Sequence, residues 1–241
     1  MGICGYGTVG SGTLALLQGN AKEITRKTGV EIEIYRVASR SLQVDIAGVT
    51  HSGTDPFEVA NDPEVDVVVE AMGGFDPAYD VVHKALENGK HVVTANKALI
   101  AERGAALIEL AEQNDVTLAY ESAVAGGIPI IKALREGLAA NRIDWLAGII
   151  NGTGNFILSE MMDKQREFAD VLEEAQALGY AEADPVTDVG GFDAAHKLAS
   201  LAALAFGTKV DYDGVLIEGI ERISLADIIN ARDMGYRIKL L

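Results

Sequence analysis

The sequence predicts an α/β protein: a doubly wound parallel sheet, followed by a second unit of α+β character. Three observations carry that reading. Short apolar runs at 2–4, 31–37, 65–70, 91–94 and 116–120 alternate with amphipathic stretches at 11–27, 77–88 and 98–114. Strand-length runs alternating with helix-length stretches give right-handed crossovers, and therefore parallel strands. The alternation stops near Gly126-Gly127-Ile128-Pro129, where a different pattern begins. Glycine fills 26 of 241 positions, well above the ~7% of an average protein, which predicts many tight loops.

The first element ends in Gly5-Tyr6-Gly7-Thr8-Val9-Gly10, a GxGxxG pattern between a short strand and a helical stretch. That context is what a dinucleotide-binding turn requires. Gly5 permits the turn, Gly7 lets backbone approach a pyrophosphate, and Gly10 lets helix and strand pack closely. The free N–H groups of the following helix, which begins with Thr8 and Val9, then face the anion. The first unit therefore reads as a Rossmann-type domain. The second strand runs into Ala38-Ser39-Arg40 and carries no carboxylate there. A carboxylate would bind a ribose 2′-hydroxyl, whereas Ser39 and Arg40 suit a 2′-phosphate. This favours NADP and leaves NAD use open. Gly73 and Gly74 follow the strand at 65–70, and Thr94 ends the next one, so all three are expected at the ligand-bearing edge of the sheet.

In the second unit, Pro129 is placed to open a helix over 130–138. A strand is expected at 143–150, a glycine loop at 151–155, helices at 156–164, 168–178 and 193–206, and a last strand at 236–241. The boundary falls at 127, giving a dinucleotide-binding domain over 1–127 and a substrate-binding, catalytic and dimerisation domain over 128–241. The first strand starts almost at residue 1 and the last one ends the chain, which reads as a piece of a longer protein, truncated at the C-terminal end.

Composition narrows the function classes. With 49% apolar and 23% charged residues the chain is not disordered. Its net charge is −16, from 20 basic and 36 acidic residues, and no basic cluster of useful size is present, so nucleic-acid binding is not expected. The single cysteine, Cys4, excludes an internal disulfide and a cysteine zinc cluster. No apolar run approaches ~18 residues, so no membrane span is expected. No charged leader precedes an apolar region, and the expected location is the cytoplasm.

The helix at 193–206 is almost wholly Ala, Leu and Phe, but Asp193, Lys197 and Ser200 fall on one face. Buried charges need partners, so this stripe is expected to face a cleft; composition alone also allows a surface Asp–Lys pair. The acidic run before it holds Glu182, Asp184 and Asp188. Asp184 precedes Pro185 and reads as a turn residue, and on composition the whole run would pass for a solvated loop.

Six stretches in order carry a family resemblance: GYGTVGSG at 5–12, VVVEAMGG at 67–74, GKHVVTANKALIA at 89–101, ESAVAGGIPII at 121–131, NGTGNFIL at 151–158 and GYAEADPVTDVGGFDAAHK at 179–197. Over essentially its whole length the chain resembles homoserine dehydrogenases. The resemblance implies NAD(P)-dependent interconversion of L-homoserine and L-aspartate-4-semialdehyde, on the way to threonine, methionine and isoleucine, by a homodimer or homotetramer. It implies that Lys197 and Lys97 are the catalytic lysines, with Lys197 moving the proton and Lys97 orienting substrate and cofactor; the reverse assignment stays open. A lysine acting as a base near neutral pH needs its value of ~10.4 lowered, by burial or by a second ammonium. The resemblance further implies that Glu182, Asp188 and Asp193 bind the substrate. It assigns a monovalent-cation site, for sodium, to Glu121 and the carbonyls of Val124, Gly126 and Ile128. Oxygen-only ligation suits a hard cation.

His51, His83 and His91 show no metal-ligand spacing, and His196 is expected to pack. A thioester-forming aldehyde dehydrogenase would share the sheet pattern but needs a reactive cysteine, and Cys4 lies in the first strand. The remaining alternatives are a cofactor-binding or regulatory piece without turnover and a dehydrogenase of altered specificity.

Overall fold

β1 (Gly2–Cys4) is wholly buried and pairs on both sides, with β2 (Arg36–Ala38) and with β4 (Val67–Glu70). Adding β3 (His51–Gly53), β5 (His91–Thr94) and β6 (Leu118–Ala119) gives the order β3-β2-β1-β4-β5-β6, every pair parallel. The computed structural model describes residues 1–42, 45–182 and 184–241. The chain falls into two units, Met1–Ala133 and Leu134–Leu241.

The helices of the first unit are α1 (Thr8–Gly19), α2 (Ala21–Thr28), α3 (Pro56–Asn61), α4 (Ala78–Glu87), α5 (Lys97–Gln113) and α6 (Ile130–Lys132). One core layer joins Ile3, Val37 and Val69 of the sheet to Leu14 of α1 and to Ile34. Gly2 belongs to the other face, where a Cβ would lie 2.3 Å from Val59 of α3. The stretch at 11–27, expected as one helix, breaks at Asn20 into α1 and α2, and α1 begins earlier, at Thr8. Asn20 turns its amide back onto Leu16 O, a local bond that competes with helix continuation. β2 is shorter than its apolar run because only 36–38 pair on both sides. β3 and α3 were not expected: His-Ser-Gly carries no apolar signal, and six residues show too little periodicity.

A charged cluster fixes the amino-terminal edge of the sheet. Arg36 donates to Asp62 Oδ2 at 2.8 Å and Glu58 Oε2 at 2.7 Å, and Asp62 Oδ1 accepts from Glu64 N. Buried Lys90 donates to the carbonyls of Asp62 and Val65 at 2.6 and 2.7 Å. Burial pushes the Lys90 ammonium below its ordinary range.

The second unit holds α7 (Gly152–Lys164), α8 (Phe168–Ala177), α9 (Val186–Val189), α10 (Phe192–Phe206) and α11 (Leu225–Asp233), after a π-helical turn at Ala133–Gly137. Its core gathers Ile157, Leu158 and Met161 of α7, Val171 and Ala175 of α8, and Ile220, Ile228 and Leu240. Apart from Ala175, each such side chain contributes about 1.5–3 kcal/mol by leaving water. The strands expected at 143–150 and 236–241 do not form: among the described residues neither finds a ladder partner. Segment 143–150 leaves Trp145 76% exposed, and Leu240 exchanges both of its backbone bonds with the Asn155 side chain instead of a strand. The glycine loop expected at 151–155 is the first turn of α7, capped by Asn151.

Asp62 gives a pH prediction. Burial opposes its charge, but the Glu64 N–H and the Arg36 guanidinium outweigh burial and hold the carboxyl below its usual 3.8. A depressed carboxyl stabilises the fold above its unfolded value, and that stabilisation is lost as pH falls through the folded value. Asp62→Asn is therefore expected to lower the urea midpoint at pH 7, with the gap from wild type closing below pH 3.8. A gap independent of pH would remove the carboxylate charge as its cause.

Candidate functional site

The carboxyl ends of all six strands share one edge, and the strand order reverses between β1 and β4. Ligands bind at such a switch point. Gly5 adopts φ +97°, and a Cβ there would lie 2.5 Å from Ala71 O. A Cβ on Gly10 would lie 1.9 Å from Gly5 O, so helix and turn close only with glycine. Gly7 is different: nothing approaches its Cβ position within 4 Å. Its missing side chain instead leaves room beside the first turn of α1, which Gly7 caps without any side-chain bond. That room, over free N–H groups, suits a phosphate. A cavity of about 370 Å³ lies here, lined by Gly5, Gly7, Ser39, Arg40, Met72 and Gly73 among others. Ser39 N donates to Gly53 O and its hydroxyl lies 3.5 Å from that of Ser41, while Arg40 is exposed at the rim.

Glu70, at the end of β4, is fully buried and organises the adjoining loop. Its Oε1 accepts from Met72 N and Gly73 N at 2.8 and 3.2 Å, and its Oε2 accepts from Thr94 Oγ1 at 2.5 Å. Gly73 and Gly74 both adopt φ near +70°, at 71° and 72°, which side chains rarely tolerate. Asn96 closes the loop by donating to Gly74 O at 2.6 Å and capping α5 through Leu99 N. Thr94, expected to face the ligand, is instead wholly buried, with its hydroxyl tied to Glu70 and Asn96 N. Glu70 and Asn96 were not singled out from sequence, although a carboxylate closing the apolar run VVVE was a usable signal. Lys97 is the first residue of α5 and half-buried. Cys4 is fully buried, and burial, then the charges of Glu70 and Asp55, push its thiol well up, which removes it as a nucleophile.

Glu121 caps the start of α6, accepting from Ile131 N at 2.7 Å and Lys132 N at 2.9 Å. The Ile128 carbonyl accepts from Ile130 N. Each of these oxygens keeps a second lone pair, and oxygen donors are the type a hard monovalent cation takes. Among the described residues no group of three metal-ligating side chains occurs.

In the second unit, Asp193 and Lys197 lie one turn apart on α10. Asp193 is 1% exposed, and Lys197 Nζ donates to its Oδ2 at 2.6 Å and to Ile150 O at 2.7 Å. Asn151 Nδ2 reaches both Asp188 Oδ1 at 2.7 Å and Asp193 Oδ2 at 3.0 Å. Two of the three expected substrate acids are thus joined to the expected catalytic lysine. Glu182 stands apart, exposed, with its carbonyl accepting from Gln176. Ser200, expected on the same polar stripe, bonds its own helix at His196 O. His196 stacks on Tyr212 with ring centroids 4.3 Å apart.

A parallel sheet with a glycine turn at its switch point and a cavity beside it defines a dinucleotide-binding α/β protein. The model for "Homoserine dehydrogenase, NAD binding domain" matches residues 5–121, and that for "Homoserine dehydrogenase" matches 129–241. The homoserine dehydrogenase of Pseudomonas aeruginosa is 58% identical, over 100% of this chain and 56% of the relative. A solved homoserine dehydrogenase from Thiobacillus denitrificans is 55% identical with a TM-score of 0.94, over 99% of this chain and 56% of that one. A hyperthermophilic archaeal homoserine dehydrogenase, solved in complex with NADPH, is 28% identical with a TM-score of 0.78, over 92% of this chain and 73% of that one. The chain belongs to the homoserine dehydrogenase family, and it spans about half the length of the curated relatives it matches. No described helix is long and apolar enough to cross a membrane.

Glu70→Gln tests the loop. The glutamine oxygen can still accept from Met72 and Gly73, but its amide cannot accept from the Thr94 hydroxyl. The variant is expected to lose about 1–2 kcal/mol in urea unfolding and to bind NADPH more weakly. An unchanged midpoint and affinity would remove Glu70 from this role.

Proposed function

We propose that the protein interconverts L-homoserine and L-aspartate-4-semialdehyde with NADP, NAD serving as a second cofactor. The observation that carries the reading is the Lys197–Asp193 pair, its carboxylate buried and its ammonium half-buried, joined to Asp188 through Asn151. Family membership supplies the substrate class. The unit 1–127 is read as the dinucleotide domain and 128–241 as the substrate and dimerisation domain.

Bound cofactor supplies the acceptor for the hydride that leaves the alcohol carbon. Everything else falls to this chain's residues. Gly5, Gly7, Thr8, Val9 and Gly10 hold the pyrophosphate on the N–H groups of α1. Ser39 and Arg40 hold a 2′-phosphate, and Gly73 and Gly74 shape the nicotinamide end, with Thr94 acting only through its bond to Glu70. Asp188, Asp193 and Glu182 receive the substrate ammonium, because an ammonium is best met by carboxylates. Lys197 takes the hydroxyl proton onto Nζ in oxidation and returns it in reduction. A neutral amine keeps two N–H donors, enough for Ile150 O and Asp193, while its lone pair points to a third direction. Lys97 orients substrate and cofactor. Glu121 with the carbonyls of Val124, Gly126 and Ile128 would hold sodium, which fixes the loop after β6. We place the protein in the cytoplasm, as a homodimer or homotetramer, on the route to threonine, methionine and isoleucine.

Lys197→Ala is expected to cut homoserine-dependent NADP⁺ reduction at least about 100-fold while NADPH binding persists. Loss of both together, or of neither, would refute the proton-transfer role. Wild type that binds NADPH without turnover would instead favour a cofactor-binding piece. Arg40→Ala is expected to weaken NADPH roughly tenfold and leave NADH nearly unchanged, the signature of a lost phosphate contact. Equal losses for both cofactors would refute the assignment.

A further inference from the structure

We infer that Asn151 is a positioning residue for the substrate acids and, through Asp193, for Lys197. The inference rests on the proposed function for its kinetic consequences but not for its geometry. Asn151 is 3% exposed, and each of its side-chain groups has a defined task. Its Oδ1 accepts from Gly154 N at 2.7 Å and caps α7. That bond fixes the amide's orientation, because only the oxygen can accept from a backbone N–H. Nδ2 must then be the group between the carboxylates, donating to Asp188 Oδ1 at 2.7 Å and to Asp193 Oδ2 at 3.0 Å. The same Asp193 oxygen accepts from Lys197, and the carbonyl of Ile150, next to Asn151, accepts from the same ammonium.

The two residues before α7, Ile150 and Asn151, therefore set three side chains. Asp188, half-buried, lies in α9 and Asp193, buried, in α10, five positions apart, and like charges so shielded from water repel unless a donor stands between them. A neutral amide is well suited: it offers two N–H groups on one atom and adds no charge. Lysine in its place would introduce a second ammonium, and a hydroxyl has a single proton to give.

Asn151→Asp separates the donor from the cap. Aspartate caps helices as well as asparagine, so α7 keeps its start. The shared donor becomes an acceptor, and a third carboxylate faces the other two. With the protein and L-homoserine, kcat/KM is expected to fall about 10- to 100-fold, the KM for homoserine to rise, and the acid limb of the pH profile to move to higher pH. The NADPH Kd is expected to stay close to wild type, while the urea midpoint falls at pH 7 because a third carboxylate is buried beside the other two. Asn151→Ser, which keeps a capping oxygen without adding charge, is expected to show the kinetic loss without the pH displacement. Crystal structures of both variants are expected to show the Asp188 carboxylate turned away from Asp193. Wild-type kinetics in both variants, or carboxylates unmoved in both crystal structures, would overturn the inference. If wild type does not oxidise homoserine the proposed reaction fails, and Asn151 is judged on the carboxylate positions alone.

Discussion

Parallel pairing on both sides of β1 is the constraint on which the first unit depends. Because β2 and β4 both run alongside it in the same direction, their carboxyl ends meet at one edge. The ladders continue past the strands: Gly5 N donates to Ala38 O, and Ala71 N donates to Cys4 O. Those two bonds hold the glycine turn against the loop that follows β4. Crowding then dictates glycine at two positions, since a side chain on Gly5 would strike Ala71 and one on Gly10 would strike Gly5. At Gly7 the protein itself imposes no such limit, so glycine there is explained by what lies beyond the protein surface. The three glycines of one motif thus have three separate physical reasons.

Buried charges mark the two ends of that sheet. Lys90 ties the chain at 62–65 at the amino-terminal edge, and Glu70 ties the loops after β4 and β5 at the other. Neither would be tolerated without partners, because an unpaired buried charge costs several kcal/mol. Each has its acceptors or donors on the backbone of a neighbouring loop. The same side chains that relieve the burial cost therefore fix loop geometry, and in Glu70's case the loop is the one at the ligand edge.

Periodicity made the strand–helix alternation legible, and the GxGxxG turn could be placed because strand and helix flank it. What periodicity could not supply were features set by contacts distant in sequence. β3 is a strand because β2 offers it an edge, and its own residues say nothing of this. Segment 143–150 has the apolar content of a strand yet forms none, because strand character requires a partner as well as composition. Thr94 was placed at the right edge but with its side chain on the wrong side; the pleat turns it toward Glu70. Asn151 sits in a stretch whose glycines suggested a loop; its amide oxygen caps α7 locally, but its amide nitrogen acts on residues 37 and 42 positions away.

The Asp193–Lys197 pair is poorly explained by stability. Burying two charges costs about as much as their attraction returns, and apolar replacements of similar volume are often neutral or better. Apart from His196 and Ser200, α10 is otherwise built from Ala, Leu and Phe and would have packed well with two more such residues. Deleting one partner is another matter: the survivor loses its opposite charge, at a cost of about 3–5 kcal/mol. A helix that carries such a pair accepts a vulnerability that apolar packing would avoid. The arrangement makes sense when an ammonium that can release and recover a proton is what the site requires, and Asp193, fixed by Asn151, holds that ammonium in one place.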